Sequence, residues 1–162
     1  MQAWEALSSR LRLMADDLSV EGGKRMSREL LRMSNMVAVR LRKHGLRART
    51  VVLKLRYEDF TTITRSRTIA EPTDLGRQIY EEVRAIHEGL RNDRPVRLVG
   101  VRAEQLQDPE GTLQALWDDS EGWREAEQVM DAASARFGRG AVTPARLLRH
   151  DPHERPRLGQ RD

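Results

Sequence analysis

The stretch Gly45–Ile69, GLRARTVVLKLRYEDFTTITRSRTI, decides how this chain folds. Its first half alternates: Val51, Leu53, Leu55 and Tyr57 fall on one side of an extended chain, Thr50, Val52, Lys54 and Arg56 on the other. Such period-two alternation marks a half-buried strand with a wet outer face. Glu58-Asp59-Phe60 then makes a turn, and the chain returns as a second strand, Thr62–Ile69. That strand carries Thr62, Thr64, Arg65, Ser66, Arg67 and Thr68, so neither face is consistently apolar. It is poor core material but suits a polyanion. Arg brings charge, while Ser, Thr and backbone N–H groups donate to phosphate oxygens.

Charge concentrates around the same stretch. The 162 residues carry a formal net charge of +4, yet from Lys24 to Arg67 thirteen Lys or Arg meet only three acids, Glu29, Glu58 and Asp59, a local net of +10. That is the electrostatic footprint expected of a nucleic-acid binder, the alternative being a merely solvated basic surface. There is no cysteine, which excludes disulfides and cysteine-based metal or redox sites. No apolar run approaches the ~18 residues that span a bilayer, and polar residues interrupt Met1–Met14 where a signal peptide would be apolar. A cytoplasmic protein with no membrane partner is expected.

Upstream, Met26, Leu30, Met33, Val37 and Leu41 step by 4, 3, 4 and 4, an amphipathic helix over Met26–His44, with Gly45 placed to end it. Gly22-Gly23 should break the chain before it, leaving 1–23 as an N-terminal segment in which Ser9–Met14 reads equally as helix or as a first strand. Downstream, Pro72-Thr73-Asp74 looks like a helix start with Thr73 as N-cap. Ile79, Val83, Ile86 and Leu90 form that helix's buried stripe, and Asn92, Asp93 and Pro95 end it. Val96–Arg102 is a last strand, with Gly100 expected at a bulge or close approach. The predicted domain, residues 24–106, is an α+β two-layer sandwich: an antiparallel or mixed four-stranded sheet with two helices on one face. Its opposite face would carry Lys54, Arg56, Arg97 and Arg102 beside the hydroxyl-rich strand. A helical C-terminal extension follows over 107–148, where Trp123, Ala126, Met130, Ala133 and Phe137 make an apolar stripe, and 149–162 reads as a disordered tail.

Three segments, RELLRMSNMVAVRLRKHGLRARTVVLKLRYEDFTTITRSRTI, PTDLGRQIYEEVRAIHEGL and RPVRLVGVRAEQL, together resemble the little-finger domain of Y-family translesion DNA polymerases of the DinB, or DNA polymerase IV, branch. ARFGRGAVTPARLL resembles the C-terminus of bacterial members. The resemblance implies a module of DNA repair that lies in the major groove of primer–template duplex DNA and holds both backbones. It places phosphate contacts at Thr64, Arg65, Ser66, Arg67, Thr68, Arg97 and Arg102, with Lys54 and Arg56 on the same surface. The catalytic part that precedes this domain in the family has no counterpart in these residues. Its convergent carboxylates would hold the Mg²⁺ ions of nucleotidyl transfer. Asp16-Asp17, Glu58-Asp59, Glu81-Glu82 and Asp118-Asp119 read instead as solvated surface or turn residues, so no catalytic residue, metal ligand or cofactor is expected here. The chain would be inactive alone, with a separate catalytic chain, truncation of an active polymerase, or a decayed gene product as alternatives.

The family also carries a short peptide after this domain that docks on the sliding clamp. TLQALWDD supplies Leu113, Leu116 and Trp117 as candidates, against the reading that they pack on the Trp123 helix. Gly22-Gly23-Lys24 lacks phosphate-loop spacing and is followed by Arg25. His44, His87, His150 and His153 lack metal-ligand context. RNA-recognition modules share the predicted layout but stack bases on strand aromatics, whereas Tyr57 falls on the apolar face and Phe60 in the turn.

Overall fold

In the computed structural model, which describes residues 9–12, 20–90, 94–109, 120–138 and 140–147, the elements in chain order are β1 (Ser9–Arg12), α1 (Val20–Lys43), β2 (Arg47–Tyr57), β3 (Thr62–Thr73), α2 (Gly76–Gly89), β4 (Val96–Gln107) and α3 (Ser120–Phe137). Gly45 turns α1 into the sheet with φ at 63°, a left-handed conformation open to glycine without penalty. The N–H groups of Gly45 and Leu46 donate to the carbonyls of Arg42 (3.0 Å) and Leu41 (2.9 Å), satisfying carbonyls that a helix end leaves open. At its other end α1 starts at Val20, so Gly22-Gly23 lies within the helix and does not break the chain.

The architecture is α+β, built on three long antiparallel strands. The fourth strand is reduced to the four residues of β1, which pair with Leu98–Val101 of β4 and give the order β1-β4-β2-β3. Every pairing is antiparallel, so the mixed alternative falls away. The stripe of α1 is buried as its spacing predicts, with Leu30, Met33, Val37 and Leu41 at 1% exposure or less. It packs with Ile79 and Val83 of α2 onto Val51, Leu53, Leu55, Val99 and Val101 of the sheet, each such side chain contributing about 1.5–3 kcal/mol. Both helices cover this one face.

Three local expectations are corrected. Gly100 holds regular register between Lys54 and Arg10. The irregularity lies three residues earlier, where Arg56 faces Leu98 but Tyr57 faces Val96, leaving Arg97 as the extra residue. Thr73 does not cap α2. Its hydroxyl accepts the Leu75 N–H (3.1 Å), Leu75 occupies the cap position without a side-chain cap bond, and the helix begins at Gly76.

The third correction concerns α3. The ends of its apolar stripe stay out of the domain, Trp123 being 51% and Phe137 72% exposed, while Met130 and Ala133 between them are half-buried. The docked side is charged. Arg42 Nε donates to Asp131 (2.7 Å), and Arg42 Nη1 donates both to the Asp74 carbonyl (2.6 Å) and to Glu127. Arg124 pairs with Asp74 at 3.1 Å. Glu127 also accepts the Gly76 N–H at 3.0 Å, so a carboxylate from α3 supplies the cap that α2 lacks. A Cβ on Gly76 would sit 2.3 Å from Asn35 Oδ1 and 3.2 Å from its Cα, so any larger residue where α1 and α2 meet must displace the Asn35 side chain.

Candidate nucleic-acid interface

Residues directly opposite in an antiparallel pair share a face, and the register sorts β3 accordingly. Thr64, Ser66 and Thr68 lie opposite Lys54, Val52 and Thr50. Across β2 those three lie opposite Gly100, Arg102 and Glu104. This is the sheet face away from α1 and α2. Arg65 and Arg67 instead lie opposite Leu53 and Val51, both buried on the helix side. Arg67 reaches Glu82 of α2 at 2.9 Å, and Arg65 donates to the Thr64 carbonyl at 3.0 Å. The TRSRT run is therefore not one surface. Three hydroxyls stand on the open face, and two guanidiniums stand on the other side of the same strand.

That strand is the edge of the sheet. An edge strand turns alternate backbone N–H and C=O groups outward. From Thr62 to Thr68 every residue except half-buried Ile63 is exposed. Within the open face Thr50 ties the strands together, its hydroxyl bonding Thr68 (3.1 Å) and Gln105 (2.8 Å). Arg102 pairs with Glu104, which brings one carboxylate onto an otherwise cationic surface.

The β2–β3 turn is closely bonded. The Phe60 N–H donates to the Tyr57 carbonyl (3.0 Å), and the Tyr57 N–H donates to the Thr61 carbonyl (2.9 Å). Asp59 accepts the Thr61 N–H at 3.0 Å. That backbone donor, helped by the paired Arg94, holds the Asp59 carboxyl below its ordinary value. Arg94 also lies over the Tyr57 ring at 4.4 Å. Phe60 itself is 56% exposed with φ at 64°. The guanidiniums of Arg56 and Arg97 lie 5.0 Å and 4.8 Å from its ring centroid. The bulge at Arg97 brings that side chain to the turn, an effect bulges commonly have.

The structure thus gathers Lys54, Arg56, Arg97 and Arg102 with Thr64, Ser66 and Thr68, and sets Arg65 and Arg67 apart. Sequence reasoning gave Phe60 no part in the site. The available signal was an aromatic at a turn position that favours glycine or asparagine. Within the described acidic doublets, Asp59 pairs with Arg94, Glu81 with Arg77 and Glu82 with Arg67. Among the described residues no group of three or more His, Asp or Glu could hold a metal ion, and no helix is long and apolar enough to cross a membrane. Leu113, Leu116 and Trp117, the doublets Asp16-Asp17 and Asp118-Asp119, and the 149–162 tail lie outside the described residues.

The impB/mucB/samB family C-terminal domain matches residues 8–116. The chain is 40% identical over 124 residues to the DNA polymerase IV of Desulfatibacillum aliphaticivorans, covering 74% of this chain and 31% of that protein. It is 40% identical over 75 residues to the DNA polymerase IV of Lactococcus lactis subsp. cremoris (strain MG1363), covering 45% of this chain and 21% of that protein. The chain therefore spans under a third of the length of these relatives. A solved Y-family DNA polymerase chimera shares the fold, with a TM-score of 0.52 at 15% identity, over 62% of this chain and 28% of that one.

Proposed function

Because the chain belongs to the impB/mucB/samB C-terminal domain family, as a little-finger domain of the DNA polymerase IV type, we propose that it binds duplex DNA of any sequence through the open face and outer edge of its sheet. The observation that carries this reading is the face itself. Among the described residues it has no helix over it, and it sets three aligned hydroxyls on an edge strand beside Lys54, Arg56, Arg97 and Arg102. A phosphodiester backbone running along β3 would meet Thr64, Ser66 and Thr68 from one side and Arg65 and Arg67 from the other. Contacts to phosphate position the duplex without reading its bases. Nucleotidyl transfer, with its Mg²⁺ ions, belongs in this reading to a catalytic part beyond these 162 residues, whether in the same chain or a separate one. The setting is translesion synthesis in DNA repair.

Each cation that neutralises a phosphate adds about −0.9 to the slope of log affinity against log salt. Duplexes of unrelated sequence should bind alike, and Lys54→Ala with Arg102→Ala should flatten the slope by up to about 1.8. Fluorescence anisotropy across a salt series measures this. An unchanged slope removes the open face as the contact, and tighter binding to an RNA duplex would favour an RNA-recognition role.

A further inference from the structure

Phe60 stands where turn chemistry asks for glycine. The Tyr57–Phe60 hydrogen bond closes a turn around Glu58 and Asp59, and the next residue, Phe60, takes φ at 64°. In hairpins of this kind the left-handed position usually carries glycine, and a bulky side chain there is an outlier. Strained positions that persist cluster at functional sites. Packing does not account for this one, since the ring is 56% exposed and outside the core.

What the ring touches does account for it. Arg56 comes from β2 in regular register, and Arg97 arrives from β4 as the extra residue of a bulge. Both guanidiniums lie within 5.0 Å of the ring centroid. Two separate departures from regular structure, a left-handed phenylalanine and a bulged arginine, thus converge on one point at the end of the open face. Adjacent guanidiniums repel each other and would splay in solvent. An aromatic ring attracts each of them within about 6 Å and restricts both before any ligand arrives, which lowers the ordering cost of binding.

We propose that Phe60 is a positioning residue that holds Arg56 and Arg97 together as a paired phosphate clamp for the DNA backbone. The inference rests on the open face being the DNA-binding surface. The ring touches the two arginines; the arginines touch the phosphate.

The test compares the full chain with Phe60→Ala, Phe60→Gly, Phe60→Trp and the Arg56→Ala/Arg97→Ala pair. Each protein is titrated with a mixed-sequence DNA duplex from low to high salt and melted thermally. One phosphate contact contributes roughly tenfold in affinity between 1 M and 0.1 M salt. Phe60→Ala and Phe60→Gly should therefore weaken binding at 0.1 M salt about tenfold or more and flatten the slope by about 0.9 to 1.8. Phe60→Gly should melt at or above the wild-type temperature, because glycine relieves the left-handed strain, so a loss of binding there cannot come from a damaged fold. Phe60→Trp should restore binding, and Phe60→Ala should add nothing once both arginines are gone. Wild-type affinity and slope in Phe60→Gly overturn the clamp while leaving the open-face reading intact. A loss that persists in the double-arginine background also overturns it, since Phe60 would then touch DNA directly. If the wild-type chain binds no duplex, the DNA reading falls and the clamp with it.

Discussion

His87 lies in the last turn of α2, where opposed influences meet. A helix C-terminus favours a cation and Glu88 adds its negative charge, yet burial outweighs them and pushes the imidazole below its ordinary value of 6.5. The unfolded chain therefore takes up its proton first. His87 contributes full stability above pH ~6.5 and loses it as the pH falls through the lower, folded value. His87→Gln should flatten the fall in urea midpoint between about pH 7 and 5, and an unaltered acid slope would show that His87 is not its source. The faces of β3 depend on single residues in the same way. The composition of TRSRT marked it as an exposed strand unfit for a core, which holds for Thr64–Thr68, but its two sides were run together. Parity was the missed signal: Arg65 and Arg67 keep step with Ile63 and Ile69, which are half-buried and buried, whereas Thr64, Ser66 and Thr68 do not. Phe60 was illegible for another reason. Its left-handed φ and the bulge at Arg97 arise from register, and register is a property of paired strands.

Among the elements, α1 and α3 show why one amphipathic pattern was readable and the other misleading. In α1 apolar spacing decides the contact, because what it meets is an apolar sheet face. In α3 the steps of three and four are just as regular, but the surface awaiting it is the end of α1, where Arg42 is only 8% exposed. Burial works against that guanidinium, yet Asp131 and Glu127 outweigh it and hold Arg42 above its ordinary value. A buried cation of this kind selects carboxylates, so the charged side of α3 docks and Trp123 stays exposed, with Arg77 at 4.8 Å from its ring. Glu127→Ala strips one counter-ion from Arg42 and uncaps α2 together. Breaking a buried pair from one side costs about 3–5 kcal/mol, and a lower melting temperature should show it. Exposed Glu125→Ala, two residues earlier on the same helix, should stay within about 0.5 kcal/mol of wild type. Equal melting temperatures for the two variants would mean the charged contact contributes no stability.

For the whole molecule, the order helix, strand, strand, helix, strand was legible because each element carries its own period. The shortness of β1 was not, since four residues, SRLR, are too few to establish an alternation. At this scale the DNA-binding reading has its bluntest consequence: primer extension by the purified 162-residue chain with Mg²⁺ or Mn²⁺ and all four nucleotides should give no product above buffer, and extension that survives rigorous purification would contradict it. The Arg42–Glu127 contact joins positions 85 apart in the chain. The last strand of the sheet ends at Gln107, 20 residues before Glu127, and at about 5–20 residues per second a ribosome needs roughly 1–4 s to travel that distance, far longer than a helix or hairpin takes to form. During that interval the junction of the two helices holds an Arg42 that has the Asp74 carbonyl but neither carboxylate of α3, and an uncapped helix start. The ionic contact therefore closes the junction between α1 and α2 only once α3 has been made.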